Sequence, residues 1–468
     1  MLDWHQSIEM GAGMESEDRF LEVVEDEDEE IEALDLRTIL HQRRERKNKA
    51  TIDRFLGKRK RVYEVGIVPR YYGELLAWAL QRYMEKEGWQ VNHTLGYHGR
   101  EPVYIDVNTD YNRRENLLID GQLLVQKGED RFIVTVDINL RWRNSFLIEG
   151  PVSKEDQAEA FVTNVLDLMR EQNFYRGKKL EFAGRLRFLD LNGRSWDSII
   201  LDADIKREII ANTVDFLNKP ETWSRLGIPS KRGILLAGEP GTGKTIICKA
   251  LMAEAKSLTC ITTSAYALSD DDYITELYEL AQDLAPCLVF IEDIDLIGQN
   301  REEFGYQKGP ALLSLLAVLD GIEEKKEIVT IATTNCLETL DKALAQRPAR
   351  FDRVIKLTRP GMEQCRELIN RLCELIPLEE SIRDYIARHS EGYTPAQLQE
   401  IVFSLAIEYG ELTTCNKPIS VSTGVIDRVM SRINGKNKTG LGFRICNNGH
   451  EQASILPLNK AKGKQEDY

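Results

Sequence analysis

The octapeptide Gly238-Glu239-Pro240-Gly241-Thr242-Gly243-Lys244-Thr245 fits G-x-x-x-x-G-K-[ST], with an apolar run before it and a helix-forming run, 246–256, after it. Glycines at these spacings let backbone N–H groups converge on phosphate oxygens, and the positive end of the following helix adds to the attraction. The expected ligand is ATP, held by Gly238, Glu239, Pro240, Gly241, Thr242, Gly243, Lys244, Thr245 and Ile246. Lys244 is expected to reach the β and γ phosphates, and the Thr245 hydroxyl to ligate Mg²⁺.

A second group of residues would supply the chemistry. The segment 288–295, Leu-Val-Phe-Ile-Glu-Asp-Ile-Asp, is an apolar strand that delivers carboxylates at its C-terminal end, the edge at which ligands gather in an open α/β sheet. One acid should hold the Mg²⁺ shell and the next should polarise an attacking water. A lone acid at a strand end often only caps a helix; paired with a phosphate loop, it points to hydrolysis.

The elements that must position these residues are legible as a change of pattern. From about residue 191, short apolar runs at 233–237, 258–262, 287–291 and 328–332 alternate with helical stretches, as a parallel sheet with crossovers requires. Their near-continuous apolarity predicts strands buried on both faces. The domain plan is a charged, partly disordered segment 1–61; a small α+β domain 62–190; an α/β P-loop domain 191–360; a helical lid 361–440; and a flexible tail 441–468. Within 62–190, a helix is expected over 70–87 and strands over 102–107, 117–125 and 131–142, with Lys127-Gly128 as a turn. A helix starting at Ser153 would bury Ala160, Phe161, Val165, Leu168 and Met169.

Composition sets outer limits. The 468 residues allow two to four domains, and 42% apolar with 29% charged residues is ordinary for a globular protein. No run of about 18 apolar residues and no basic-then-apolar start appears, so a cytoplasmic location is expected. The eight cysteines all lie beyond residue 247 with no C-x-x-C, which suits free thiols. A net charge of −14 gives no general affinity for nucleic acid, although 43–49 and 58–61 are locally basic.

With these residues in view, the stretch 195–353 resembles the AAA+ superfamily. SWDSIILDADIKREI leads in, GEPGTGKT is the Walker A, LVFIEDID the Walker B, TIATTN the sensor 1 strand and ALAQRPARFDR the arginine-finger segment. The resemblance implies an ATPase that needs Mg²⁺, with Thr245 and Glu292 on the metal. Asn335 would position the lytic water, and Arg350 and Arg353 would reach into the next subunit's site. A homo-oligomeric ring, usually hexameric, is implied. So is a lid in which Ala396 closes over the adenine, with Thr394 capping a helix that starts at Pro395.

Three departures from the family pattern matter. The usual acid order, Asp then Glu, is here Glu292 then Asp293, so the metal-side acid is one methylene longer and the water-side acid one shorter. That inversion, with 267–271, 223–229 and 394–399, is similar to the mitochondrial Rieske-protein translocase branch, whose N-domain and membrane helix are not visible in this sequence. The segment 264–272 carries no aromatic-apolar-Gly triplet of the threading members, so Tyr266 and Tyr273 are expected to pack rather than grip a substrate. Pro348-Ala349 replaces Pro-Gly. No H-E-x-x-H follows the lid, so no metalloprotease of the membrane-protease type is expected. The leading expectation is a chaperone-like remodeller of protein complexes, with 62–190 recognising a client or adaptor. The alternatives are a nucleic-acid loader or initiator and a nucleotide-gated scaffold with negligible turnover.

Overall fold

The computed structural model describes residues 27–57, 61–138, 144–268, 271–298, 310–321, 327–340, 350–409 and 418–435. Where a charged, partly disordered segment was expected, α1 (Glu27–Leu56) is one helix of 30 residues. Acid dominates its first turns and base its last half, which suits the helix dipole at both ends. Its end is anchored by Ile52, Phe55 and Leu56, which pack on Leu124 and Ile133.

β1 (Arg61–Val68), α2 (Gly73–Glu87), β2 (Gln90–Leu95), β3 (Val103–Asp110), β4 (Arg113–Lys127), β5 (Asp130–Ile138), β6 (Asn144–Pro151) and α3 (Glu155–Glu171) follow. The strands form a six-stranded sheet of order β1-β6-β5-β4-β2, with β3 also on β4, and every pairing is antiparallel. The expected hairpin is present, with Lys127 opposite Asp130, while residues 139–142 of the expected third strand lie outside the described residues. α3 starts two residues later than expected, because Ser153 sits inside a 3₁₀ turn, Val152–Lys154, and caps nothing. Ala158 rather than Ala160 completes its buried face.

β7 (Lys179–Phe182) and β8 (Leu186–Phe188) correct the expected boundary at 190: they belong to the second sheet. That sheet contains β9 (Lys231–Gly238), β10 (Thr259–Ser264), β11 (Cys287–Glu292), β12 (Ile328–Thr334) and β13 (Arg353–Leu357) in the order β13-β9-β12-β11-β10-β7-β8. All its pairings are parallel except β7 with β8. The helices α4 (Ala203–Asn212), α5 (Val214–Leu217), α6 (Pro220–Arg225), α7 (Lys244–Glu254), α8 (Asp271–Asp283), α9 (Asp295–Gly298) and α10 (Pro310–Gly321) lie between the strands in sequence. Ile234, Leu236, Leu288, Phe290, Val329 and Ile331 are buried in one core beneath the sheet, and Leu235, Ile261, Val289 and Ile291 in another above it. A strand buried on both faces cannot alternate polar with apolar, which is why these runs are continuous in the sequence.

The first sheet is not a loose appendage. Tyr71, Tyr72, Tyr175 and Phe182 share a core with Tyr278 and Leu277 of α8. Arg70 pairs with Glu276 at 2.6 Å and lies over the ring of Tyr273. The last of the described residues form a helical unit, α11 (Met362–Leu372), α12 (Glu380–Arg388), α13 (Pro395–Tyr409) and α14 (Thr423–Ile433), around Ile369, Ile386, Leu398, Leu405 and Val429. Residues 436–468, including the expected tail, lie outside the described residues.

Candidate nucleotide-binding site

Strand β9 runs into the glycine loop and α7 begins at Lys244, so the loop wraps the N-terminus of an 11-residue helix. Gly241 and Gly243 take φ of 83° and 96°, the left-handed region that side chains resist, and this turns the loop back on itself. Lys244 is 7% exposed. Its Nζ donates to the carbonyls of Gly238 at 2.6 Å and Glu239 at 3.1 Å, and Thr242 Oγ1 donates to Glu239 O at 2.8 Å. Burial pushes the Lys244 pKa down, and the charges of Asp293 and Asp295 act in the opposite direction. A buried ammonium in a glycine loop at a helix N-terminus is an arrangement suited to a polyphosphate.

The inverted acid pair is sorted between two partners. Glu292 ends β11, and its Oε2 accepts a hydrogen bond from Thr245 Oγ1 at 3.0 Å, bringing together two oxygens suited to a hard divalent cation. Asp293 turns out of the strand at φ 54°, a conformation rare for residues other than glycine and tolerated by Asp at about 1 kcal/mol. Its N–H donates to Thr333 Oγ1 at 3.0 Å, and its Oδ1 accepts from Asn335 Nδ2 at 2.9 Å. The backbone N–H of Asn335 donates to Asp295 Oδ1 at 3.2 Å, and Asp295 is buried. Sequence reasoning gave no role to Thr333 or Asp295. The signal was present, since both flank residues it did select.

The C-terminal helical unit, the expected lid, meets the loop directly. Thr394 and Gln397 cap each other reciprocally at the start of α13, at 2.9 and 3.3 Å, and the helix begins at Pro395 as expected. Ala396, expected over an adenine, donates its N–H to the carbonyl of Gly241 at 3.2 Å. Arg359, between β13 and α11, donates through Nε and Nη2 to Glu239 and through Nη1 to the carbonyl of Gly392.

The two arginines part company. Arg353 is 56% exposed, 3.7 Å from Glu208. Arg350, expected to project toward a neighbouring copy, is instead 5% exposed and gripped by Asp320 at the end of α10, Nε to Oδ1 at 2.8 Å and Nη2 to Oδ2 at 2.6 Å. An arginine fork finds a carboxylate within its own chain, and this orientation answers the charge locally. Of the two tyrosines expected to pack, Tyr273 does so against Phe182, while Tyr266 is 81% exposed just after β10, so packing does not describe it. The segment 341–349, with Pro348-Ala349, lies outside the described residues.

Residues 234–359 match the model of the "ATPase family associated with various cellular activities (AAA)". The chain is 33% identical over 317 residues to the proteasome-activating nucleotidase of Saccharolobus islandicus, covering 62% of this chain and 74% of that protein. The chain belongs to the AAA family of ATPases. A second proteasome-activating nucleotidase, from Sulfurisphaera tokodaii, is 30% identical over 299 residues, 61% of this chain and 73% of its own. The ATP-dependent zinc metalloprotease FtsH 2 of Sphaerobacter thermophilus is 33% identical over 227 residues, 46% of this chain. This AAA chain spans 34% of the length of that FtsH relative.

The AAA match takes in Lys244, Glu292, Asp293, Asn335, Arg350 and Arg353 and stops at Arg359, short of Ala396. No helix among the described residues is long and apolar enough to cross a membrane.

Proposed function

We propose that this AAA chain binds ATP at Gly238 to Ile246, hydrolyses it in a ring of its own copies, and uses the cycle to remodel protein complexes. The observation that carries the hydrolytic part is the sorting of the inverted pair: Glu292 to the Thr245 hydroxyl, Asp293 to the Asn335 amide. Thr245 and Glu292 would hold Mg²⁺, which neutralises phosphate charge when bound. Lys244 binds the β and γ phosphates, and Asp293, oriented by Asn335 and Thr333, accepts the proton of the attacking water. Asp293, the shorter acid, leaves the strand at φ 54°, a turn that would offset its shorter reach. The same acid order in the Rieske-translocase branch supports turnover.

Arg353 is available to a neighbouring copy, and Arg350 would serve there only after leaving Asp320. A trans arginine contributes on the order of 10³ to 10⁵ in rate in related hydrolases. The first sheet, fixed to α8 through Arg70 and the tyrosine core, is where a client or adaptor would be recognised, in a cytoplasmic setting. The test is a pull-down with Asp293→Asn in ATP. It should retain assembled rings with a bound client, and recovery of that variant only as a monomer would end the remodelling proposal. One observation favours nucleic acid as a second reading: Arg43, Arg46, Lys47, Lys49 and Arg54 are all exposed on α1. An ATPase rate raised by DNA or RNA and falling steeply with salt would support it.

A further inference from the structure

We infer that Arg359 is a positioning residue for nucleotide binding: it neutralises a carboxylate built into the phosphate loop and ties that loop to the lid. The inference rests on the proposed ATP site. Glu239 is an odd neighbour for a polyphosphate. It is the second residue of the glycine loop, its carbonyl shares the Lys244 ammonium, and its side chain adds a negative charge where the ligand brings several more. Arg359 answers that charge, with Nη2 at 2.5 Å and Nε at 3.1 Å from the same Glu239 oxygen. Its third donor, Nη1, reaches the carbonyl of Gly392 at 2.6 Å, two residues before the Thr394 cap of α13.

The loop is thus fastened to the lid twice, by this guanidinium and by the backbone bond from Ala396 to Gly241. Arg359 itself stands between β13 and α11, where the sheet passes into the lid. A planar fork holds a carboxylate and a carbonyl in one fixed geometry, whereas an ammonium is a point charge on a flexible stem. Both side chains are about half exposed, so the pair contributes little to folding. What it changes is the potential at the loop, and that appears when an anion arrives.

The experiment is an equilibrium titration of the full chain with the fluorescent analogue mant-ATP in Mg²⁺, beside steady-state ATPase kinetics. Arg359→Ala leaves Glu239 uncompensated and should weaken mant-ATP binding about five- to tenfold, with the loss carried by KM more than by kcat. Adding Glu239→Gln to Arg359→Ala should restore affinity to within about twofold of Glu239→Gln alone. The loss should shrink between about 0.05 and 0.5 M salt, as screening requires and a packing defect would not. Arg359→Lys, which keeps the charge and loses the fork, should fall between wild type and Arg359→Ala. If wild type binds mant-ATP but the double variant is as weak as Arg359→Ala, charge neutralisation is wrong and the site stands. If wild type itself ignores mant-ATP, the ATP site fails and this inference with it.

Discussion

The seating of Arg350 against Asp320 offers a quantitative test within a single chain. Its guanidinium is 5% exposed and makes two bonds to an Asp320 carboxylate that is itself 51% exposed. A fully buried pair broken on one side costs about 3–5 kcal/mol, but half of this carboxylate's surroundings are water, which can solvate what remains. The expected loss for Arg350→Met, which leaves that carboxylate in water, is therefore about 1–2 kcal/mol, and somewhat more for Asp320→Asn, which leaves a buried guanidinium without its counter-charge. The double variant should lose less than the sum of the singles by about 1–2 kcal/mol, since each single already removes the pair. Urea unfolding of the three variants beside wild type measures this, and calorimetry should show the melting midpoint lowered by about 2–4 °C per kcal/mol. Additivity to within about 0.5 kcal/mol would show that the two side chains do not hold each other, and the inward placement of Arg350 would be refuted.

Other expectations follow from the same geometry. Glu292→Gln should raise the Mg²⁺ concentration needed for half-maximal ATPase. Asp293→Asn should lower kcat by about 10² or more at saturating Mg²⁺ while nucleotide stays bound, and identical profiles for the two would undo the division of labour. Lys244→Ala should abolish mant-ATP binding in the same titration, and retained affinity would contradict its role. Because the folded-state pKa of Lys244 lies below its unfolded value, the unfolded chain binds more protons between the two. Stability should therefore rise with pH across that alkaline window, and the rise should shrink in Lys244→Met; equal slopes would show the burial to be inconsequential. Burial pushes the Cys260 thiol up to about 11. Iodoacetamide at pH 8 should thus label the half-buried Cys336 well before Cys260, as read by peptide mass spectrometry; the reverse order would contradict the core.

Much of the candidate site's geometry was legible because its residues lie in contiguous runs. The glycine loop, the acids at the end of 287–291 and the polar residue after 328–332 each sit at a strand end, and the strands announced themselves by unbroken apolarity. What was not legible depended on pairing at a distance. β7 and β8 are four and three residues long, too short to show a period, and only their partner β10 decides which sheet they join. α1 read as a solvated charged block because the three apolar residues that seat it come only in its last turns. Arg350 looked like a surface donor because a motif fixes its place in the sequence, whereas the carboxylate that turns it inward lies 30 residues earlier.

The central claim is that ATP bound above Lys244 is cleaved with help from an arginine on another copy. Mixing Lys244→Ala chains with Arg353→Ala chains tests it most directly, since one set keeps its arginine and the other its phosphate loop. Each alone should be nearly inactive, and the mixture should recover ATPase from sites where an intact loop faces an intact arginine. A mixture no more active than its parts, with wild type holding full specific activity when diluted to single chains, would contradict the account.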